Sequence, residues 1–308
     1  MQENGETQVL VRLREEISLM EIGKLGLWAI CDKMHAAETL RLAAKLERLG
    51  YGALWIPEAW GRDPFSHAAY LLSHTERIVL ATGIANIWSR DTLTMMSCAK
   101  TVAELADGRF VLGLGVSHKP LVADLRGHDY TKPFTYMKNY VAGLKGAIYN
   151  AVAPREEVPI VIAALHPRMI QLAAAETRGT HTYFVPPSHT AKARTEMGPG
   201  AWICVEQALV LERDKGRARH AARQYMSFYL SLHNYAKNLK SLGFTDGDLA
   251  EGGSDNLVDS IVAWGSEEQI HDRIAEHFAA GATHVCIQPL RCDGSGALDD
   301  RAIEALAP

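Results

Sequence analysis

Short apolar runs alternate along this chain with longer segments in which apolar side chains recur every three or four positions. The runs favour β-strands and the longer segments favour amphipathic helices. Because most runs are apolar throughout rather than alternately apolar and polar, they indicate a sheet that is buried on both faces. The predicted strands are Lys24–Ile30, Tyr51–Pro57, Arg77–Ile87, Arg109–Val116, Val158–Ala164, Thr180–Val185, Trp202–Leu211 and Thr283–Leu290.

Capping residues mark where several predicted helices begin and end. Asp91 is a good N-cap for a helix that reaches Ala106, and Ser266 to Gln269 form a capping box. Further helices are predicted to end at Gly50, to run from Pro167 to Arg178, to start at Ser188 as N-cap, and to run from Arg217 to Lys240.

Eight strands alternating with helices predict a closed parallel (β/α)8 barrel. We expect one barrel domain over residues 23–308, preceded by an N-terminal extension over residues 1–22. Two segments are too long for ordinary loops and predict insertions, one after strand four (His118–Pro133) and one after strand seven (Arg213–Trp264). The alternative is an open doubly wound sheet, but no GxGxxG motif follows the first strand.

Composition narrows the possible partners. The 308 residues carry a net charge of −4, so no basic excess favours nucleic acid or an anionic membrane. No apolar run is long enough for a transmembrane helix, and the start of the chain lacks the apolar core of a signal peptide. The five scattered cysteines predict reduced thiols in a cytoplasmic protein. His271 and His277 are badly spaced for a metal, and no metal site is expected.

Two strand ends carry the best candidate chemistry. The segments Arg77–Asn86 and Gly108–His118 both pass from apolar residues to small and polar residues. Parallel α/β folds place their binding and catalytic groups at the C-terminal ends of strands. We therefore expect these two ends to form adjacent walls of a binding site.

Several short motifs, in their order and spacing, resemble those of a known family. They are Leu54–Glu58 (LWIPE), Leu80–Ile84 (LATGI), Gly108–Gly115 (GRFVLGLG), Pro159–Pro167 (PIVIAALHP), Asn234–Tyr235, Leu242–Phe244 and Gly252–Asp255. By these motifs the chain resembles the luciferase-like monooxygenase superfamily, and within it the actinobacterial branch of coenzyme F420-dependent oxidoreductases.

The resemblance implies an enzyme that transfers a hydride between F420 and a small organic substrate at the C-terminal mouth of the barrel. Trp28, Trp60, Trp88 and the segment His118–Pro133 would shape the pocket, and they favour a fairly apolar substrate. One alternative keeps the fold and uses reduced FMN and oxygen as a monooxygenase. A second alternative is a non-catalytic protein that binds a flavin or deazaflavin. Similar proteins are usually homodimers, so a homodimer is expected.

The resemblance also places candidate site residues on the third strand. It implies a bulge at Thr82, Gly83 and Ile84 with a non-proline cis peptide at Gly83–Ile84, pressed against the deazaflavin ring. Asn86 would bond a carbonyl or nitrogen of the ring. Glu58, after strand two, would be a cofactor contact and a candidate proton-transfer group. The histidine that often follows this acid in the family is replaced by Ala59.

The remaining candidates follow strands four, five and six. Val116, Ser117 and His118 would lie beside the ring, with His118 either structural or a proton donor or acceptor. The cofactor phosphate would bind at the helix start formed by Ala164, Leu165 and His166, opposite Pro186 and Ser188. Lys192 and Arg194 would either reach the glutamates of F420 or form a solvated surface.

Overall fold

The computed structural model describes residues 20–308, and within them ten strands form one parallel sheet. Eight of these strands close into a barrel in the order β1-β2-β3-β5-β6-β7-β8-β10, because β10 pairs with both β8 and β1. The strands are β1 (Leu25–Trp28), β2 (Ala53–Ile56), β3 (Val79–Thr82), β4 (Ala85–Asn86), β5 (Phe110–Gly115), β6 (Ile160–Ala163), β7 (Gly179–Thr182), β8 (Trp202–Val210), β9 (Ala263–Trp264) and β10 (His284–Pro289). The prediction of a (β/α)8 barrel is confirmed.

Helices cover the outside of the barrel and bury its apolar outer face. They are α1 (Ala36–Leu49), α2 (Pro64–Leu72), α3 (Thr92–Leu105), α4 (Pro133–Lys145), α5 (Pro167–Glu176), α6 (Pro187–Met197), α7 (Lys215–Leu230), α8 (His233–Ser241), α9 (Asp246–Leu249), α10 (Asp255–Ile261), α11 (Glu267–Ala279) and α12 (Asp300–Ala305). A π-helical turn, Pro120–Asp124, lies in the insertion after β5. The larger insertion after β8 contains α7 to α10.

Most predicted helix signals are confirmed. Asp91 caps α3 by accepting a hydrogen bond from the Thr94 backbone N–H, and Ser266 forms the capping box of α11. Gly50 ends α1 in the left-handed region at φ 90°, where glycine has no steric penalty.

Two predicted helix boundaries are wrong. Ser188 is not the N-cap of α6; Pro186 occupies that position and Pro187 starts the helix, because the fixed φ of proline suits the first helical position. The single helix predicted from Arg217 to Lys240 is two helices, since the chain becomes extended at Leu232 between α7 and α8.

Aromatic and histidine side chains fill the barrel interior in layers, together with smaller residues. Trp55 stacks on His181 with ring centroids 4.4 Å apart, and its indole nitrogen is 3.0 Å from Nε2 of His284. Cys204 and Cys286 complete this layer from β8 and β10. The filled interior leaves the C-terminal mouth of the barrel as the place for a binding site.

Two further expectations concern membrane-spanning helices and the state of the cysteines. No helix among residues 20–308 is long and apolar enough to cross a membrane. All five cysteines are unpaired thiols. The N-terminal extension lies almost entirely outside the described residues, and the homodimer and the cytoplasmic location stay predictions.

Candidate active site

The third barrel strand carries a one-residue bulge at the mouth. Ala81 pairs with Val111 and Ala85 pairs with Leu114, so four steps along β3 and β4 match three steps along β5. The Gly83–Ile84 peptide bond within the bulge is cis, as the resemblance implied. Ile84 lies over Gly115, where an added Cβ would come within 2.4 Å of its side chain. The bulge therefore presents Ile84 to the mouth.

Thr82 stabilises the bulge from the outside of the barrel. Its hydroxyl donates to the Gly113 carbonyl at 2.7 Å and accepts from the Gly113 N–H at 2.9 Å. The side chain thus replaces the ladder hydrogen bonds that the bulge interrupts. Thr82 is fully buried, so the geometry supports a structural role for it rather than the predicted contact with a cofactor.

Glu58 is held in an ion pair beneath the bulge. Nη1 of Arg90 donates to both carboxylate oxygens at 2.8 and 2.9 Å, and one of these oxygens also accepts from the Asn86 N–H at 2.8 Å. The side chains of Arg90 and Glu58 are only 12% and 8% exposed. Arg90 also bonds Asp63, the N-cap of α2. With both oxygens engaged, Glu58 fixes the loop that carries Asn86, and its role in proton transfer stays a prediction.

In the Asn86 side chain, the amide oxygen has a hydrogen-bond partner and the amide nitrogen has none among the described residues. Its Oδ1 accepts from the Trp88 N–H at 3.0 Å, which fixes the amide orientation. Its Nδ2 finds no hydrogen-bond partner in residues 20–308 although the side chain is only 1% exposed. A buried donor without a partner is costly, and a ligand carbonyl would satisfy it. This orphan donor is where the structure fits the predicted ring contact best.

The two residues after β5, Val116 and Ser117, accept hydrogen bonds from side chains around the mouth. The Val116 carbonyl accepts from the Trp88 indole at 3.0 Å, and the Ser117 carbonyl accepts from the Tyr130 hydroxyl at 2.7 Å. These two predicted cofactor contacts therefore already bind protein groups through their carbonyls. Tyr130 therefore ties the insertion to the end of β5.

His118 follows β5 and packs against Tyr235 of α8. Its ring centroid is 5.5 Å from that of Tyr235. Burial lowers the pKa of His118, while a hydrogen bond with Asn234 acts in the opposite direction. The imidazole is therefore neutral at neutral pH and can accept a proton, which is compatible with the predicted role in proton transfer.

The predicted phosphate residues meet beside α5. His166 is the N-cap of α5, and the Leu165 carbonyl is 2.8 Å from Nε2 of His189. A cavity of about 370 Å³ opens here and is lined by Leu165, His166, Lys192 and Asn238, among others. Ala164 and Pro186 are buried nearby, whereas Ser188 is exposed in the first turn of α6.

A second cavity of about 370 Å³ lies against the insertion after β5. Trp88 and Tyr136 form one wall, stacked with ring centroids 3.9 Å apart, and His128 and Lys132 contribute polar groups. An aromatic wall of this kind suits a flat or apolar ligand.

The sequence prediction missed a group of tyrosines at the mouth. Tyr183 follows β7, Tyr225 and Tyr229 lie on α7, and Tyr235 lies on α8, with neighbouring ring centroids 5.0 to 6.3 Å apart. The spacing of Tyr225 and Tyr229 places them on one helix face, which is a visible signal. Their common position at the mouth depends on how the insertion folds, and the sequence pattern does not contain that.

Comparison with known proteins identifies the family of this chain. The model of the luciferase-like monooxygenase family matches residues 18–284, which is most of the chain. The chain belongs to the luciferase-like monooxygenase family. A Mycobacterium tuberculosis protein whose name assigns it to the coenzyme F420-dependent oxidoreductases is 24% identical, over 87% of this chain and 94% of that protein. A 5,10-methylenetetrahydromethanopterin reductase of Methanolobus tindarius is 22% identical, over 79% and 87%.

Solved structures agree on the fold of this family member. An F420-dependent secondary alcohol dehydrogenase, bound to an F420-acetone adduct, superposes with a TM-score of 0.74 at 13% identity, covering 92% of this chain and 97% of that one. The oxygenating constituent of a Pseudomonas putida Baeyer–Villiger monooxygenase, bound to FMN, gives 0.67 at 13% identity, covering 92% and 96%.

Proposed function

We propose that this protein is an oxidoreductase that transfers a hydride between coenzyme F420 and a small organic substrate at the C-terminal mouth of the barrel. The observation that carries the proposal is the bulge between β3 and β4. It presents Ile84 to the mouth and leaves the amide nitrogen of Asn86 as a buried donor without a partner among the described residues.

The comparisons support F420 as the cofactor. The names of the mycobacterial relative and of the secondary alcohol dehydrogenase both specify F420. The cofactor would supply the hydride chemistry, and the protein would supply orientation and a proton. Ile84 would support one face of the ring, Asn86 would bond its edge, and neutral His118 would hold or accept a proton. The cavity beside α5, with Lys192 on its wall, would take the phosphate end.

The cofactor is tested by titrating the purified protein with F420 and, separately, with FMN, following fluorescence. We expect F420 to bind at least about tenfold more tightly than FMN, which corresponds to about 1.4 kcal/mol. The variant Asn86→Asp keeps the acceptor for the Trp88 N–H and replaces the free donor with an acceptor. It should weaken F420 binding about tenfold or more, whereas the exposed control Asn256→Asp should leave it unchanged.

A second candidate function is an FMN-dependent monooxygenase. The structural similarity to the FMN-bound Baeyer–Villiger enzyme favours it. In the same titration, micromolar FMN binding without F420 binding would establish this candidate and overturn the first. Weak binding of both cofactors would contradict both functions.

A further inference from the structure

The cavity between α5, α6 and α8 is lined by two buried polar side chains that have unpaired groups. His189 on α6 and Asn238 on α8 are each only 2% exposed, and both line this cavity of about 370 Å³. Nδ1 of His189 and Nδ2 of Asn238 have no hydrogen-bond partner among residues 20–308. A buried polar group without a partner is costly, so a ligand that pairs with both atoms would remove two such costs.

The unpaired nitrogen of His189 is a hydrogen-bond acceptor. Nε2 of this ring lies 2.8 Å from the Leu165 carbonyl, and a carbonyl only accepts, so Nε2 carries the ring proton. Burial lowers the pKa of His189 and the charge of Lys192 lowers it further, whereas the hydrogen bond with Leu165 acts in the opposite direction. The ring is therefore neutral at neutral pH, and its Nδ1 requires a ligand that donates a hydrogen bond.

The other groups on the wall require an acceptor and a negative charge. The amide nitrogen of Asn238 can only donate. The Lys192 ammonium group lines the cavity, lies 3.5 Å from the Ser241 carbonyl and forms no ion pair in the part of the chain that the structure describes. Glu196, the acidic residue of the wall, accepts a hydrogen bond from Gln171 at 2.9 Å. The cavity thus suits a ligand that combines a donor, an acceptor and an anionic group.

A phosphodiester alone does not meet this requirement. Its oxygens only accept hydrogen bonds, so they would leave Nδ1 of the neutral His189 ring unpaired. The cavity volume of about 370 Å³ also lies in the range of about 300–1,000 Å³ that is typical of pockets for whole small molecules. An amide satisfies both buried atoms, because its N–H donates and its C=O accepts. In F420 such amides follow the phosphate and the lactate, where they join glutamates that each add a carboxylate.

We propose that this cavity binds the amide that joins the first glutamate of F420 to lactate, and that His189 and Asn238 make it selective for that amide. The inference rests on the proposed function, because it takes F420 as the cofactor. The amide N–H donates to His189, its C=O accepts from Asn238, and the neighbouring carboxylate pairs with Lys192. The phosphate, which precedes this amide, is left to the start of α5. Arg194 is not available, since its Nε and Nη2 donate to the Gly281 carbonyl at 3.0 and 2.7 Å.

The test compares three forms of the cofactor on the full chain by fluorescence titration. The first form ends at the ribityl chain, the second adds the phosphate and the lactate, and the third adds one glutamate through the amide. Asn238→Leu removes the donor and His189→Phe removes the acceptor. Asn256→Leu and His271→Phe, at exposed positions on α10 and α11, are the matched controls. Nitrogen NMR of wild type follows the unprotonated Nδ1 of His189, so one measurement of the contact needs no altered residue in the cavity.

We expect wild type to bind the glutamyl form about tenfold or more tightly than the lactate form, because two buried groups gain partners. Asn238→Leu and His189→Phe should each remove this preference, and both controls should keep it. The Nδ1 signal of His189 should shift with the glutamyl form and stay in place with the lactate form.

Three outcomes overturn the amide site and leave the proposed function intact. They are equal affinities of wild type for the glutamyl and lactate forms, equal losses for these two forms in the variants, and an Nδ1 signal that the glutamyl form does not shift. Failure of all three cofactor forms to bind wild type overturns the proposed function, and the amide site with it.

Discussion

Glu206 on β8 is a buried carboxyl group, only 1% exposed, and it makes a prediction about stability that needs no cofactor. Its Oε2 accepts a hydrogen bond from the Phe184 N–H at 3.1 Å, and its Oε1 has no hydrogen-bond partner among the described residues. Its pKa is about 8 in the folded protein against 4.5 for the ordinary group, so the folded state binds more protons between these values. Stability from this group is therefore complete below about pH 4.5 and is lost as pH rises towards about 8. One pKa unit corresponds to about 1.4 kcal/mol, so raising the pH from about 5.5 to about 7.5 should cost about 2–3 kcal/mol at this site.

The measurement is urea unfolding of wild type and Glu206→Gln at several pH values. Other groups titrate too: burial lowers the pKa of His181 and His284 to about 4, which makes stability rise with pH up to the ordinary histidine value. Subtracting the variant from wild type at each pH removes these contributions, because both proteins contain the same histidines. The control Glu104→Gln changes an exposed carboxyl on α3.

The difference in unfolding free energy between wild type and Glu206→Gln should fall by about 2–3 kcal/mol over that pH range. The control difference should be flat. A flat difference for Glu206→Gln would refute the conclusion that this carboxyl is protonated at neutral pH, and a difference that rises with pH would show an ionised carboxylate stabilised by an unseen partner.

Three further predictions concern the bulge and the groups around it. Arg90→Met should lower the unfolding free energy by about 3–5 kcal/mol, because it leaves a buried carboxylate unpaired; Arg77→Met, at an exposed pair 3.9 Å apart, should cost below about 1 kcal/mol in the same denaturation assay. Gly115→Ala should displace the bulge and weaken F420 binding about tenfold by fluorescence, whereas Gly200→Ala, where the added Cβ contacts nothing, should leave binding unchanged. His118→Ala should slow cofactor turnover in stopped-flow measurements while preserving F420 affinity; equal turnover would exclude proton transfer by this residue.

The sequence was sufficient for the barrel because each strand is a local apolar run and each helix a local periodicity. The bulge was predicted from the family resemblance, and the positions of Asn86 and His118 followed from their place at strand ends. The role of Thr82 did not, because the direction of one side chain at a bulge depends on the pairing with β5. The hydrogen bond from the Tyr183 hydroxyl to Gln288 could not be predicted either, because the two residues are 105 positions apart in the sequence. Only folding of the insertion brings α7 over the mouth.

Arg90 links the segments that form one half of the rim of the mouth. Its side chain pairs with Glu58 after β2 and with Asp63 at the start of α2. Its backbone carbonyl accepts a hydrogen bond from the Tyr140 hydroxyl of α4 at 2.8 Å. Glu58 in turn holds the chain at Asn86. These contacts therefore join segments from three successive strand–helix units. We expect natural variants to keep this half constant and to acquire new substrates through changes in residues 118–133, where a substitution alters the pocket wall without disturbing the support of the ring.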